Sequence, residues 1–367
     1  MQFDFENILL VVFIYYATQS LIFIFGLFKN NHTKYENILF KVSVVVAARN
    51  EENNISHCLD SLLKLNYPKE LLEIIVINDS STDNTLNILQ KYSLNNSNLK
   101  IFNVPKREIL IGKSNAIDFG IENSSGEIIM MTDADCVVNQ NWILTTIKYF
   151  DDKIGIVAGM TLQKSNSCFT GMQSLDWAFL LGIGSAGINL KMPFSIIGNN
   201  FSVRRKTYDE VGGYKNIKFS VTEDFALFKK VIESTHWIAK FPIEENNLIK
   251  SNPCENFSDL IKQKKRWGIG GLDMKLSGLS IMFSGFLMHL FFVLTPFFSN
   301  QIIFSSVILS SKIILDFIFV FLVLRKLNEL HQLKYFICFE LYFIFYVIIL
   351  PFVVFFTGKL EWKGRKY

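Results

Sequence analysis

Short apolar runs rich in β-branched residues alternate with helix-like patterns from residue 41 onward. The predicted strands are Val42–Ala48, Glu73–Ile77, Lys100–Val104, Glu127–Met131 and Ile154–Ala158. Helical spacing of apolar residues predicts helices near 51–64, 83–92, 113–123 and 139–149. Strands and helices that alternate in this way form a mostly parallel α/β sheet with helices on both faces.

Three much longer apolar segments flank this region, at residues 8–28, 279–324 and 335–357. Each contains a stretch near the ~20 apolar residues that cross a bilayer as one helix. The second segment is too long for one crossing and is interrupted between Pro296 and Gln301. That interruption predicts a transmembrane helical hairpin.

Charges beside the first segment indicate how the chain is oriented. Asp4 and Glu6 precede the segment, and Lys29, Lys34 and Lys41 follow it. It has no small-residue cleavage site, so we expect an anchor rather than a signal peptide. Because cytoplasmic flanks carry the excess of lysine and arginine, we expect the N-terminus outside and the following domain in the cytoplasm.

These boundaries predict three parts. They are a transmembrane anchor at 1–28, a cytoplasmic globular domain at 29–275, and a C-terminal membrane domain with a basic tail at 276–367. If the last apolar segment crosses the membrane, the basic tail would lie outside, against the positive-inside tendency. Either that segment re-enters without crossing, or the tendency fails here.

Two further stretches have an apolar face. Residues 169–184 show helical spacing that is compatible with packing on the sheet or with lying on the membrane surface. Residues 256–267 combine apolar side chains with a basic cluster at 262–266, shortly before a membrane segment. For this second stretch we favour an interfacial helix.

Composition agrees with a membrane protein. Hydrophobic residues make up 50% of the chain, 36 residues are Phe, and the mean hydropathy is +0.28. The net charge is +4, and the basic clusters at 262–266 and 359–366 adjoin apolar segments, which favours anionic membrane lipid over nucleic acid as a partner. The five cysteines form no CxxC pair, which indicates unpaired thiols in a reducing compartment.

Acidic residues follow two of the predicted strands at the point where each ends. Asp79 comes just past Ile77, and Asp133 and Asp135 follow Met131. Ligands of α/β sheets bind beyond the carboxyl ends of the strands, so these three carboxylates should share one cleft. The paired carboxylates require a cation, and Mg²⁺ or Mn²⁺ with phosphate oxygens is the usual solution.

Two turns offer further contacts to a nucleotide. The strand that ends at Ala48 runs into a polar turn, whose backbone N–H groups and Glu51 carboxylate can bind a base or ribose, as can Asp79. Lys113 lies at a predicted helix start, where its ammonium group and the helix dipole can both face a diphosphate. Taken alone, Lys113 is equally well explained as a solvated lysine.

The segment Thr222-Glu223-Asp224 precedes apolar residues at helical spacing. Asp224 is explained either as a helix N-cap or as a general base, and we favour the base. In the later segment Gln263-x-x-Arg266-Trp267, Arg266 can neutralise a leaving diphosphate and Trp267 can stack on a sugar.

Lys312 and Asp316 lie four residues apart within the second arm of the hairpin. On a helix this spacing places them on one face. We favour a self-neutralising pair that faces protein over a role in transport.

These motifs together resemble those of the family-2 inverting glycosyltransferases. The set is Asp79, Asp133-x-Asp135, Thr222-Glu223-Asp224 and Gln263-x-x-Arg266-Trp267, after an opening Ala-Ala-Arg-Asn-Glu-Glu. Within the family, the chain is similar to the membrane-embedded branch of hyaluronan, chitin, cellulose and poly-N-acetylglucosamine synthases and ceramide glucosyltransferases. The resemblance covers roughly residues 41–275, and the combination is far more specific than any single motif.

The resemblance implies a GT-A fold and a role for each motif. Asp79 would contact uridine, Asp133 and Asp135 would serve the diphosphate and the metal (Mg²⁺ or Mn²⁺), and Asp224 would be the catalytic base. The nucleotide-sugar site would comprise Ala48, Glu51, Asp79, Lys113, Asp133 and Asp135. The leaving group and acceptor would be held by Glu223, Gln263, Arg266 and Trp267.

The expected activity is metal-dependent transfer of a sugar from a nucleotide diphosphate, with UDP the expected nucleotide. The expected acceptor is a lipid or lipid-proximal hydroxyl at the cytoplasmic face of a bacterial inner membrane. About three apolar segments after residue 275 are few for a polymer channel, and the tail Trp362-Lys-Gly-Arg365 resembles enzymes that glycosylate lipids. A processive polysaccharide synthase is the alternative, and an inactive membrane scaffold is a remote one.

Overall fold

The computed structural model describes residues 4–29, 38–107, 110–272, 274–356, 361–362 and 365–366. Its strands are β1 Val42–Ala48, β2 Leu72–Asn78, β3 Leu99–Asn103, β4 Ile128–Asp133, β5 Cys136–Val137, β6 Ile154–Ala158, β7 Thr161–Gln163, β8 Phe201–Arg204, β9 Ile238–Lys240, β10 Ile249–Ser251, β11 Glu361–Trp362 and β12 Arg365–Lys366. Its helices are α1 Phe5–Phe28, α2 Ile55–Leu63, α3 Thr85–Ser93, α4 Gly112–Glu122, α5 Trp142–Ile147, α6 Cys168–Asn189, α7 Arg205–Glu210, α8 Glu223–Ser234, α9 Phe257–Gly271, α10 Leu276–Phe298, α11 Ile302–Lys326 and α12 Phe336–Phe356.

A seven-stranded sheet in the order β3-β2-β1-β4-β8-β6-β9 forms the centre of the globular part. Strand β1 pairs in parallel with β2 and β4, and β2 pairs in parallel with β3. Strand β8 is the exception, because it runs antiparallel to both β4 and β6. The predicted, mostly parallel α/β class is confirmed, and the five predicted strands correspond to β1, β2, β3, β4 and β6.

The sheet is buried on both faces, which explains why its strands are almost continuously apolar. On one face Val44 and Val46 pack with Leu59 of α2 and Trp142 of α5. On the other face β2 packs against Ala116 of α4. Burial on both faces fixes the strand register, and the register in turn fixes which residues stand at the strand ends.

The chain forms two compact units. The sheet unit comprises Asn31–Leu162 and Ser195–Asn252, and the helical unit comprises Met1–Asn30, Gln163–Phe194 and Pro253–Tyr367. Helices α6 and α9 therefore belong to the helical unit, although both fall inside the predicted domain at 29–275. The three-part division at residues 28 and 275 remains a prediction.

Four helical segments among the described residues are long and apolar enough to cross a membrane: Phe5–Phe28, Leu276–Phe298, Ile302–Lys326 and Leu330–Phe355. Helices lie where the anchor and the hairpin were predicted, and the turn between α10 and α11 lies between Phe298 and Ile302, at the predicted break. The chain is thus a membrane protein. The side on which the basic tail lies remains a prediction, and much of that tail falls outside the described residues.

Helix α6 corresponds to the amphipathic stretch predicted at 169–184. It is buried around most of its surface and contacts α1, α11 and α12. An added Cβ at Gly182 would lie 2.8 Å from Val323 and 2.9 Å from Phe319, so the glycine permits close packing on α11. The apolar spacing of residues 169–184 indicates that one face is covered, but it does not show whether a sheet, a lipid surface or other helices cover it.

Helix α9 corresponds to the stretch predicted at 256–267. Phe257 and Ile261 are 60% and 49% exposed, which suits the interfacial prediction. Lys264 lies on the opposite, internal face, because its side chain is 2% exposed and forms an ion pair inside the helical unit. The interfacial position of the helix remains a prediction. The basic cluster at 262–266 is therefore divided, because Lys264 is internal while Lys262 is exposed.

Lys312 is fully buried in the helical unit and contacts two carboxylates. Its ammonium group lies 2.8 Å from Asp316 Oδ2 and also bonds to Glu340 of α12. Tyr16 of α1 donates a hydrogen bond of 2.6 Å to Asp316 Oδ1. The predicted self-neutralising pair is thus the centre of a cluster that joins α1, α11 and α12.

His289 of α10 adds a fourth helix to this cluster. Its ring nitrogen and the carboxylate oxygens of Asp316 and Glu340 lie within 4.8 Å of one another, a spacing that could hold a metal ion. The ammonium group of Lys312 already stands between those carboxylates and supplies positive charge there. We therefore interpret the cluster as an internal ion network that ties the helices together.

The cysteines differ from expectation. Cys168 at the start of α6 and Cys338 in the first turn of α12 form a disulfide, with Cα atoms 5.9 Å apart. The expectation of unpaired thiols is wrong for these two, because packing brings together helices that are 170 residues apart in sequence. Cys58, Cys136 and Cys254 are free thiols, as expected.

The ion network makes a testable prediction about stability. Lys312→Met should destabilise the folded protein by about 3–5 kcal/mol, because it leaves two buried carboxylates without their cation. Thermal unfolding in detergent measures the change. Lys262→Met is the matched control, since that lysine pairs with Asp259 on an exposed face and such pairs contribute little.

A second variant separates charge from packing in this test. Lys312→Met combined with Glu340→Gln should recover part of the loss, because one uncompensated carboxylate is then removed. Equal unfolding temperatures for Lys312→Met and the wild type would contradict the role of the network.

Candidate active site

The parallel strands bring the first acidic residues together. Ala47 of β1 stands opposite Asp133 of β4, and Ala48 stands opposite Asn78 of β2. Asp79 comes one residue later, is 5% exposed, and donates its backbone N–H to the Ala48 carbonyl at 2.8 Å. Residues from three segments distant in sequence therefore meet at one edge of the sheet.

The turns after β1 and β2 are held to each other by hydrogen bonds. Arg49 donates from Nη1 to the Asp79 carbonyl at 2.7 Å, and Thr82 donates its backbone N–H to Asn50 Oδ1 at 2.9 Å. Asn50 and Ser80 both adopt positive φ, at 54° and 56°, which turns the chain sharply after each strand. The loops at this edge are thus preformed.

Glu51 lies in the first of these turns and is 7% exposed. Its Oε2 accepts a hydrogen bond of 2.8 Å from Asn54, and its backbone N–H donates to Thr85 Oγ1 at 2.8 Å. The carboxylate is thereby held in place at the strand edge where a nucleoside was expected.

Lys113 connects two acidic motifs. Its Nζ lies 2.7 Å from Asp133 Oδ1 and 3.2 Å from Glu223 Oε1, and its side chain is 30% exposed. Burial alone would lower the pKa of Lys113, but the negative charges of Asp133, Glu223 and Asp224 outweigh it and raise that pKa. The alternative of a merely solvated lysine is wrong, because Lys113 is a permanent positive charge among these carboxylates.

Asp224 is the second residue of α8, and Thr222 is the N-cap of that helix. The N-cap explanation of Asp224 is therefore wrong. Phe225 and Phe228 are buried, and they anchor the helix. Acidic side chains in the first turn of a helix interact favourably with its dipole.

Gly198 lies directly against Asp224. An added Cβ at Gly198 would lie 2.7 Å from Asp224 Oδ2 and 2.8 Å from its Cβ. Such distances are shorter than van der Waals contact, so any side chain at Gly198 would displace the carboxylate. The glycine thus fixes where Asp224 stands.

Asp135 follows β4 in the turn before β5. Its Oδ2 accepts a weak hydrogen bond from Ser251 at 3.5 Å, and its Oδ1 one from Cys136 Sγ at 3.5 Å. Burial raises the pKa of the Cys58 and Cys136 thiols, and the charges of Asp135 and Asp133 raise it further. Both thiols therefore remain protonated beside the two carboxylates.

Tyr214 is a site residue that sequence reasoning did not single out for a role. It is 2% exposed; burial raises the pKa of its hydroxyl, and the charges of Glu223 and Asp224 raise it further. The sequence feature that could have identified Tyr214 is the pair of glycines before it. Gly212 and Gly213 both adopt positive φ, at 75° and 60°. A neutral phenol beside these carboxylates is available as a hydrogen-bond donor.

The acidic residues suit a divalent cation by their donor chemistry. Asp133 and Asp135 offer carboxylate oxygens one residue apart at the end of a buried strand, and such oxygens are the ligands that Mg²⁺ and Mn²⁺ take. Asp133 Oδ1 is already bonded to Lys113. The residues present therefore fit a cation held chiefly by Asp135.

The last predicted motif lies on α9 in the helical unit. The Trp267 ring meets Trp177 of α6 at an interplanar angle of 60°, with ring centroids 5.2 Å apart. The Gln263 side-chain oxygen is buried and accepts no hydrogen bond from the part of the chain that the structure describes. Arg266 lies one turn further along the same helix.

Comparison with known proteins identifies the family of the chain. Residues 43–225 match the family model described as "Glycosyl transferase family 2". The chain is 30% identical over 253 residues to a poly-β-1,6-N-acetyl-D-glucosamine synthase of Staphylococcus epidermidis, covering 68% of this chain and 58% of that protein. A synthase of the same description from Staphylococcus aureus is 30% identical over 238 residues, covering 64% and 55%.

A solved structure shows the same fold. The mannosyltransferase PcManGT from Pyrobaculum calidifontis, in complex with GDP-Man and Mn²⁺, aligns over 93% of this chain and 99% of its own, with a TM-score of 0.58 and 15% identity. The GT-A-type α/β fold is thereby confirmed. The chain spans just over half the length of the staphylococcal relatives. Through the domain at residues 43–225, the protein belongs to glycosyl transferase family 2.

Proposed function

We propose that the protein is a membrane-bound glycosyltransferase that moves a sugar from a nucleotide diphosphate to an acceptor hydroxyl. The proposed nucleotide is UDP, and the transfer inverts the anomeric centre of the sugar. The observation that carries this proposal is the charge arrangement in the sheet unit. Lys113 bridges Asp133 at the end of β4 and Glu223 at the start of α8, next to Asp224. That arrangement supplies both a counter-charge for phosphate and a carboxylate base.

In this mechanism Asp224 accepts the proton of the acceptor hydroxyl while its oxygen forms a bond to the anomeric carbon. The bond from that carbon to the diphosphate oxygen breaks in the same step, and the diphosphate leaves with the electron pair. Lys113 supports the negative charge that develops on the leaving group. One displacement inverts the anomeric centre.

Several other residues have proposed binding roles. Ala48, Glu51 and Asp79, at the ends of β1 and β2, would hold the nucleoside. Asp135, with Asp133, would hold Mg²⁺ or Mn²⁺, which neutralises the diphosphate when bound; the mannosyltransferase of the same fold was determined with Mn²⁺. Glu223, Gln263, Arg266 and Trp267 would contact the leaving group and acceptor.

The proposed acceptor is a lipid or lipid-proximal hydroxyl on the cytoplasmic side of a bacterial inner membrane. Two features support this location: the four candidate spans, and the basic residues that follow the acidic start of α1. A growing glycan is the second candidate acceptor. The specific observation in its favour is the 30% identity to proteins described as poly-β-1,6-N-acetyl-D-glucosamine synthases.

A single product assay distinguishes the two acceptors. Purified protein in nanodiscs receives radiolabelled UDP-sugars, and products are separated by lipid thin-layer chromatography and by sizing. A lipid acceptor gives label that migrates with lipid. A processive synthase gives label that stays at the origin and elutes in the void volume. No transfer from any nucleotide sugar, with metal and membrane lipids present, would overturn the proposed activity.

Removal of the base should separate catalysis from binding. Asp224→Asn should lower the transfer rate by about 10²–10⁴-fold, since general-base catalysis is lost. Donor affinity, measured by equilibrium binding of UDP, should change little because Asp224 acts on the acceptor. Near-normal turnover would show that Asp224 is not the base and would make Glu223 the candidate.

The contact between Gly198 and Asp224 gives a second test. Gly198→Ala should reduce turnover by displacing the Asp224 carboxylate, while the protein still folds and binds UDP. Gly285→Ala is the control, because an added Cβ there meets nothing within 4 Å among the described residues. Equal turnover of the two variants would show that the position of Asp224 is not critical.

Metal removal should affect the donor. EDTA should abolish transfer, and Mn²⁺ or Mg²⁺ should restore it. Asp135→Ala should weaken UDP binding in the presence of metal and leave metal-free binding unchanged. Full activity in EDTA would contradict metal dependence and leave Lys113 and Arg266 as the counter-charges.

A further inference from the structure

The basic motif on α9 contains a lysine that faces neither water nor lipid. Lys264 is 2% exposed, and its ammonium group bonds directly to the carboxylate of Asp176 on α6. Asp176 is 0% exposed, so both members of the pair are withdrawn from solvent. A lysine that served only as a surface charge would not require this burial.

The same ammonium group lies against two aromatic rings. Its Nζ is 4.3 Å from the centroid of the Trp267 ring and 5.1 Å from that of Tyr346 on α12. Lys264 and Trp267 are three residues apart, so they lie on one face of α9. A cation over the face of an indole is an attractive arrangement, and it strengthens when water is excluded.

The Trp267 indole also contacts a second aromatic side chain. Trp177, the neighbour of Asp176 on α6, packs against Trp267 at 60° with ring centroids 5.2 Å apart. An added Cβ at Gly268, the residue after Trp267, would lie 2.6 Å from Val354 of α12, so α9 packs closely there as well. Trp267 thus contacts both a cation and an aromatic ring.

The charges of the pair hold its two side chains together. Burial raises the pKa of Asp176, and the neighbouring charge of Lys264 works against that rise. Asp176 Oδ1 is buried and accepts no hydrogen bond from the residues that the structure describes, so the ammonium group is its principal partner. Separating the pair would leave a charge in an apolar setting, which confines Lys264 to one position.

We propose that Asp176 and Lys264 are positioning residues that fix the Trp267 indole for stacking on the acceptor sugar. The proposal rests on the proposed function with its second candidate acceptor, a growing glycan, whose terminal sugar Trp267 would contact. Asp176 holds the ammonium group, the ammonium group holds one face of the indole, and Trp177 limits its rotation. Neither Asp176 nor Lys264 touches substrate in this account.

Fluorine NMR tests the positioning directly and requires no substrate. The chain has five tryptophans, so 5-fluorotryptophan labelling gives five resonances, and Trp267→Phe identifies that of Trp267. Lys264→Met and Asp176→Asn should shift or broaden the Trp267 resonance. The resonance of Trp142, fully buried in the sheet unit, should stay unchanged and report that this unit remains folded.

Lys262→Met is the matched control. It removes a lysine from the same helix, but one whose side chain is 57% exposed and pairs with Asp259. It should leave the Trp267 resonance where it is in the wild type. If Lys264→Met also leaves that resonance unchanged, the positioning proposal is wrong.

Kinetics show whether positioning matters for transfer. With UDP-N-acetylglucosamine as donor and a β-1,6-linked N-acetylglucosamine trisaccharide as acceptor, Lys264→Met should raise the acceptor KM by roughly tenfold or more, with the donor KM unchanged. Lys264→Arg keeps the charge and should recover most of the loss. In a Trp267→Phe background the effect of Lys264→Met should shrink, because both changes remove one interaction.

A double variant guards against simple misfolding. The double variant Lys264→Met with Asp176→Asn removes both charges, so it should fold even if either single variant does not. Its Trp267 resonance should still differ from that of the wild type. A wild-type resonance in the double variant would overturn the proposal. Trp267→Ala tests the acceptor role separately. If it leaves the acceptor KM unchanged, while Lys264→Met and Asp176→Asn shift the Trp267 resonance as expected, then the positioning holds and only the proposed acceptor role of Trp267 is wrong.

Discussion

Carboxylates gathered at the ends of buried parallel strands need positive charge close by, and the sheet unit is organised around that need. Asp133 ends β4, and Glu223 and Asp224 begin α8. Lys113, at the start of α4, lies within ion-pair distance of Asp133 and Glu223. A nucleotide diphosphate would add negative charge to this edge, which is why the proposed mechanism requires a divalent cation beside Asp135 as well as the lysine.

The same electrostatic rule governs the helical unit, with a different outcome. Lys312 is enclosed with Asp316 and Glu340, and Lys264 is enclosed with Asp176. In both cases the cation is supplied by the protein itself, so the charges stabilise helix packing instead of recruiting a ligand. Buried pairs of this kind tolerate the loss of both partners better than the loss of one.

The strands of the sheet could be predicted because local sequence determines them. β1 and β6 have the predicted limits, since Val42–Ala48 and Ile154–Ala158 are apolar runs bounded by polar turns. The same reason explains why the acidic residues could be placed. The apolar pattern shows where a strand ends, and Asp79, Asp133 and Asp135 stand at or just past such ends. The antiparallel β8 was not predicted, because the glycine and asparagine residues before Phe201 suggest a turn and its pairing with β4 and β6 depends on distant segments.

Long-range packing accounts for what sequence reasoning missed. Nothing near Cys168 identifies Cys338 as its partner, and nothing near Lys264 identifies Asp176, since 170 and 88 residues separate them. The environment of α6 was ambiguous for a similar reason, because an apolar stripe does not specify whether sheet, lipid or helices will cover it. A glycine such as Gly198 permits another group to approach the backbone closely, but the sequence does not show which group. Only the fold shows that Asp224 is that neighbour.

The stereochemistry of the product tests the central claim most directly, namely that Asp224 activates an acceptor for one displacement at the anomeric carbon. The measurement is the NMR coupling constant of the anomeric proton in the product formed from an α-linked UDP-sugar. The account predicts a β-linkage, as a single displacement requires. An α-linkage would contradict it, because retention needs a different mechanism from the one that Lys113 and Asp224 are proposed to support.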